Sequence, residues 1–139
     1  MGPLNDNWII ESDFSELGMK HRKLSEEYLF YKAVAEGNLS MIDKNFKEEK
    51  FIESKGVGKL SKNHVVNIKY HFVITTALIT RFCSGAGMEI ERAFRLSDYY
   101  IQKLDRLHTF EEVHRLHQEM VLDFTNKMRI IKISDTASK

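Results

Sequence analysis

The stretch NHVVNIKYHFVITTALITRFCS, residues 63–84, decides the fold. Val65, Val66, Ile68, Phe72, Val73, Ala77, Leu78, Ile79 and Phe82 cover far more than one helical stripe, and a helix apolar on most sides is normally surrounded by other helices. The β-branched run Val73-Ile74-Thr75-Thr76 would suit a strand, but the unbroken length favours helix. Its most apolar part, Phe72 to Phe82, is interrupted by Thr75, Thr76, Thr80 and Arg81, and it falls short of the roughly 18 residues a membrane-spanning helix needs. A core helix of a soluble bundle is therefore expected, closed by Ser84-Gly85-Ala86-Gly87.

Upstream, Leu24, Tyr28, Tyr31, Val34 and Ala35 recur at three- and four-residue steps between Lys20 and Glu36, the period of one helix face. Gly37 and Asn38 tolerate positive φ and close that helix. Ser40 is the expected cap of the next, with Asp43 in place of the usual Glu of a capping box and Met41, Ile42, Phe46 and Phe51 as inner positions. Ser54-Lys55-Gly56-Val57-Gly58-Lys59 reads as a loop; it lacks the preceding strand and the Lys-Ser/Thr ending that a phosphate-cradling loop requires. Residues 5–18 mix Trp8, Ile9, Ile10 and Phe14 with acids and fit either a packed arm or a short strand.

Downstream, Met88 to Leu107 reads as helix, with Ser97 a candidate cap for a second piece running through Ile101 and Leu104. Thr109-Phe110-Glu111-Glu112 is a capping box opening a last helix. The stripe of that helix is Val113, Leu116, Met120, Phe124, Met128 and Ile131, whose near-heptad spacing suits either a monomer core or a dimer seam. The only proline, Pro3, breaks no helix interior. The resulting expectation is an all-α bundle of about five to six helices, with an N-terminal arm over residues 1–19, a helical domain over 20–133 and the start of a polar linker over 134–139.

Composition narrows the function. At 139 residues and 42% hydrophobic the chain can bury a full core in one domain. Its 21 Lys and Arg against 20 Asp and Glu lack the basic excess of a free-standing nucleic-acid binder. Cys83, the single cysteine, has no intrachain partner, which fits a buried thiol in a reducing compartment. No basic segment followed by an apolar run opens the chain, so a cytoplasmic location with no membrane association is expected.

Catalytic constellations are sparse. Glu111, His114 and His117 share one helix face, but a di-iron bundle needs a second Glu-x-x-His and none is present. His64 and His71 stand two turns apart without a carboxylate cluster, so these histidines are read as solvated or hydrogen-bonded rim residues. No Gly-x-Ser-x-Gly elbow and no second cysteine appear. The chain is thus expected to be no enzyme, with no catalytic residue, cofactor or metal. Tyr99 and Tyr100 fan round different faces of a helix, which expects one in the core and one at the surface. Polar groups on or beside the most apolar helix, His71, Arg81 and Tyr100, are the candidate effector pocket.

Read together, Asn67-Ile68-Lys69-Tyr70-His71-Phe72, Leu78-Ile79-Thr80-Arg81-Phe82-Cys83, Gly87-Met88 and Ala93-Phe94-Arg95-Leu96-Ser97-Asp98-Tyr99-Tyr100-Ile101-Gln102-Lys103 resemble the N-terminal domain of a group of AraC-type bacterial transcriptional regulators. Coverage runs from about His21 to Lys132, and the family pattern falls on Lys69, Tyr70, Arg81, Gly87, Ala93, Leu96, Ser97, Asp98, Tyr100 and Ile101. The resemblance implies a regulatory domain, a candidate for self-association, followed by a linker and a helix-turn-helix module through which alone promoter DNA is bound. Unlike the sugar-responsive members, whose sensing half is a β-barrel, this chain has no barrel pattern, and its effector is unspecified. The alternatives are a stand-alone helical adaptor and a metal-binding helical enzyme built on the His/Glu set.

Overall fold

Short-range polar contacts decide where the helices begin. Asn38 Oδ1 accepts from Met41 N at 3.1 Å, and Asn63 Oδ1 accepts from Val65 N and Val66 N. The Glu89 carboxylate accepts from Glu91 N and Arg92 N. At Thr109 the expected capping box is complete: Glu112 N donates to Thr109 Oγ1, while Thr109 N and its hydroxyl both donate to Glu112 Oε1. Each contact satisfies amide donors that a helix start leaves without partners.

The computed structural model describes residues 24–48 and 59–138. These form five helices and, among the described residues, no strand: α1 Leu24–Ala35, α2 Leu39–Lys47, α3 His64–Gly85, α4 Ile90–Asp105 and α5 Phe110–Ser138. The all-α expectation is thereby met, with five packed helices among the described residues. Phe51, residues 54–58 of the expected loop and the N-terminal arm lie outside the described residues.

Three local expectations need correction. Ser40 does not cap α2; Asn38 does, two residues earlier, because the Gly37 turn already aims its amide oxygen at the first helical donors. Ser97 does not break α4, which is continuous; Ser97 is buried on its inner face with Ala93, Tyr100 and Leu104, where a small side chain lets helices approach. The segment expected as linker is helical through Ser138, since nothing in it interrupts backbone bonding and Thr136 Oγ1 folds back onto Lys132 O.

α5 is the hub: it packs against each of the other four helices, whereas α2 does not touch α3 or α4, and α4 touches only α3 and α5. Val113, Leu116, Met120, Val121, Phe124 and Met128 of α5 are buried together with Phe30, Val34, Ile42, Phe72 and Ile79 from the helices around it. Buried hydroxyls on the helices are satisfied locally, Thr76 Oγ1 by Phe72 O, Thr80 Oγ1 by Thr76 O and Thr125 Oγ1 by Val121 O.

Gly37 is the tightest point. Its φ is +70°, and a Cβ there would lie 2.5 Å from both Cα and N of Arg129 on α5. Left-handed backbone and contact with immovable main chain act in the same direction. Gly37→Ala is expected to lower unfolding free energy by at least about 2 kcal/mol, seen as a lower urea midpoint with unchanged slope; an unchanged midpoint would show that the α1–α2 turn does not rest on α5.

Candidate functional site

α3 and α4 form a hairpin whose outer surface is the candidate site. Near its turn the Arg81 guanidinium stands 5.5 Å from the centre of the Phe94 ring. Toward its open end Lys69, Tyr70 and Val73 face Ile101, Gln102, Leu104, Asp105 and Arg106 across a solvent-open groove of about 520 Å³. These pairings place the two helices side by side and antiparallel. The helices lie so because α4 buries only Ala93, Ser97, Tyr100 and Leu104 against its neighbours, which leaves Phe94 and Ile90 exposed on its outer side.

A second hollow, about 570 Å³, lies where α1, α3 and α5 meet. Tyr28 and Phe82 supply aromatic walls, their rings 6.0 Å apart edge to face. Lys32, Arg81 and Lys132 line it with Glu36 as its one acid. Lys132 Nζ donates to Ala86 O at 2.7 Å, tying the α3–α4 turn to α5, and Lys32 stands 3.8 Å from Glu36. Aromatic walls with an excess of cations suit a small anionic ligand bearing a flat or apolar part.

Between α4 and α5 sits a polar node. The Tyr100 hydroxyl donates to Asp123 Oδ2 at 2.5 Å, and the other carboxylate oxygen of Asp123 accepts from Lys127. Burial, reinforced by the carboxylate that accepts its proton, holds the Tyr100 phenol well above its ordinary range. It is a fixed donor at physiological pH.

The candidate effector residues are therefore dispersed. Arg81 lines the second hollow, Tyr100 is turned toward α5, and His71 is half-buried on α3; the three do not share either hollow. Tyr99 is exposed where Tyr100 is buried, as their positions on one helix require. The α5 stripe Val113, Leu116, Met120, Phe124 and Met128 is filled by intrachain packing, with Ile131 half-buried at its end. Of the family-pattern residues, Lys69, Tyr70 and Ile101 line the groove, Arg81 stands nearer the hairpin turn over Phe94, Asp98 is exposed, and Ala93, Ser97 and Tyr100 are buried on the inner side of α4. Leu96 is half-buried on α4, and Gly87 occupies the hairpin turn with φ +125°. Val73, Ile74 and Phe94 were indistinguishable from core residues in the sequence, because hydropathy does not say which side of an apolar helix stays uncovered.

Cys83 is fully buried and its thiol is pushed up to about 12 by burial, so it stays protonated and unreactive. Among the described residues no group of three or more His, Cys, Asp and Glu side chains is placed to hold a metal ion. One histidine departs from the rim expectation: His117 is 2% exposed, packs edge-on against Phe72, and its Nε2 has no hydrogen-bond partner among the described residues, whereas His64 is exposed and His71 and His114 are half-buried. His64 stacks on Phe110 at 4.5 Å, and Phe110 in turn stacks on His114.

Comparison with known proteins adds no relative: no family model, no curated protein and no solved structure matches the chain. No described helix is long and apolar enough to cross a membrane.

Burial, and then the neighbouring His114, pull the His117 imidazole down to about 3. The unfolded chain takes up that proton near pH 6.5, whereas the folded chain resists it until far lower pH. The stability that depends on neutral His117 is thus complete above about pH 6.5 and is lost progressively as pH falls toward 3. Between pH 7 and pH 5 the loss from this group is expected to be about 2 kcal/mol. Urea titrations at the two pH values should show that loss in the wild type and a much smaller one in His117→Leu; equal losses in both would assign acid sensitivity to other groups.

Proposed function

We propose that the chain is the helical regulatory domain of an AraC-type transcriptional regulator, which controls an attached helix-turn-helix module through α5. The observation that carries this reading is the course of α5. It contacts every other described helix and continues without interruption to Ser138, with Ile130 and Ile133 exposed along its last turns. A helix rooted in the whole core passes a change in core packing to whatever follows it as a rotation or shift, not as slack.

The sequence pattern supports the same reading. The Leu96-Ser97-Asp98-x-Tyr100-Ile101 string lies within a single helix, with Ser97 and Tyr100 inward and Asp98 outward. Tyr100 joins that helix to Asp123 on α5, so the string most distinctive of the family is also the one wired to the output helix. The effector seat in this reading is the hollow around Arg81, because it is walled by α1, α3 and α5 together, and a ligand there biases how α5 packs. A formal net charge of +1 agrees with DNA contact being made by the attached module and not by this domain.

Fusing the full chain to the isolated DNA-binding module of an AraC-type regulator tests the proposal. Occupancy of an operator with two half-sites should rise at least about tenfold over the module alone, through effective concentration, with little change on a single half-site. Occupancy equal to that of the unfused module on both operators would refute the coupling role.

A further inference from the structure

The outer face of the α3–α4 hairpin carries more apolar surface than a solitary domain needs. Tyr70 is 51% exposed, Ile74 47% and Ile90 56%, with Val73 and Phe94 also open and Ile101 half-buried between them. Scattered apolar side chains on a surface mean little, but a contiguous set along two adjacent helices marks an interaction face.

Its spacing is regular. On α3, Tyr70 and Ala77 stand seven residues apart with Val73 and Ile74 between them; on α4, Phe94 and Ile101 stand seven apart with Ile90 one turn before. Two antiparallel helices with seven-residue apolar repeats on one side are half of a four-helix bundle.

Charge indicates what completes it. Alongside the apolar residues α3 carries the cations Lys69 and Arg81, while α4 carries Glu91, Asp98 and Asp105, again seven residues apart. Among the described residues none of these five takes part in an ion pair. Lys69 and Asp105 line the groove at one level, with Arg106 at its rim, and at the other level Arg81 stands over Phe94, which lies between Glu91 and Asp98 in sequence.

We infer that two copies of this chain associate face to face through the α3–α4 hairpin, about a two-fold axis lying along the groove. That axis sets α3 of each copy against α4 of the other at matching heights. Lys69 then meets Asp105 of the second copy, and Arg81 meets Asp98 and Glu91, with Tyr70, Val73, Ile74, Phe94 and Ile101 packed between. The face is self-complementary, as an isologous contact requires, and its flanking charges fix the register. Surface chemistry alone carries the inference, and it stands whether or not a DNA-binding module is attached.

Charge-reversed chains provide the test. One variant carries Lys69→Glu and Arg81→Glu, so that its α3 repels α4 of its own kind; the other carries Glu91→Lys, Asp98→Lys and Asp105→Lys, so that its α4 repels α3 of its own kind. By sedimentation velocity at about 50 μM, in the concentration range of ordinary associations, the wild type should run as twice the 16.3 kDa chain. Each variant should run as the single chain with an unchanged helical dichroism spectrum, and an equimolar mixture should recover the dimer, because in the mixed pair both α3–α4 contacts are complementary. A monomeric wild type, a dimer persisting in either variant, or a mixture that stays monomeric would each overturn the inference. Val73→Glu with Ile74→Glu gives a second check: at least about a tenfold weaker association is expected, and undiminished association would place the contact elsewhere.

Discussion

Burial of one face of α5 beneath four other helices is the constraint on which everything else rests. α2 meets neither α3 nor α4, and α1 does not reach α4, so apart from the direct contact of α1 with α3 the two sides of the molecule are held in one body through α5. Met120, Val121, Phe124 and Met128 are fully enclosed at that junction. Because interiors are packed like solids, a change at any docked helix is felt along this row. Gly37 shows how close the docking is, since the α1–α2 turn touches α5 main chain to main chain and leaves no space for a methyl group.

This arrangement also explains why the α3–α4 hairpin keeps an open outer face. α3 is walled by α1, α4 and α5, but α4 has only two neighbours, so the outer edge between α3 and α4 is left uncovered. The same helices are bonded inward: Tyr100 on α4 holds Asp123 on α5, and Lys132 on α5 holds Ala86 in the hairpin turn. The outer face of the hairpin and the long helix α5 are thus joined by named hydrogen bonds, so that in the proposed reading a change at one is carried to the other through packed and bonded contacts. The hollow at Arg81 touches both parts, because Arg81 also contacts Phe94 on the outer face.

Much of the fold was legible from short-range sequence. α3 announced itself by apolar length, and Thr109 with Glu112 announced the start of α5 because both partners lie within one turn. Local rules failed where two of them competed. Ser97 fits a helix cap as well as it fits a close helix contact, and only the continuous α4 decides for the contact. Ser40 lost to Asn38 because the preceding glycine turn fixes which side chain faces the free amides. The site was less legible, since its determinants are non-local: Tyr100 and Asp123 lie twenty-three positions apart. His117 resembled a surface histidine until Phe72 closed over it. Val73 and Ile74 are exposed because the chain supplies no helix to cover them among the described residues, which no property of those two residues foretells.

The most direct measurement of the central claim is native-state amide hydrogen exchange resolved along α3 and α5. If α5 is the common support, the amides of Val113 to Met128 and those around Phe72 to Ile79 exchange only by global opening, with one shared free energy equal to that from urea unfolding. Exchange of α5 by a separate, lower-energy opening while α3 remains protected would contradict the claim, because the other helices would then hold together without it.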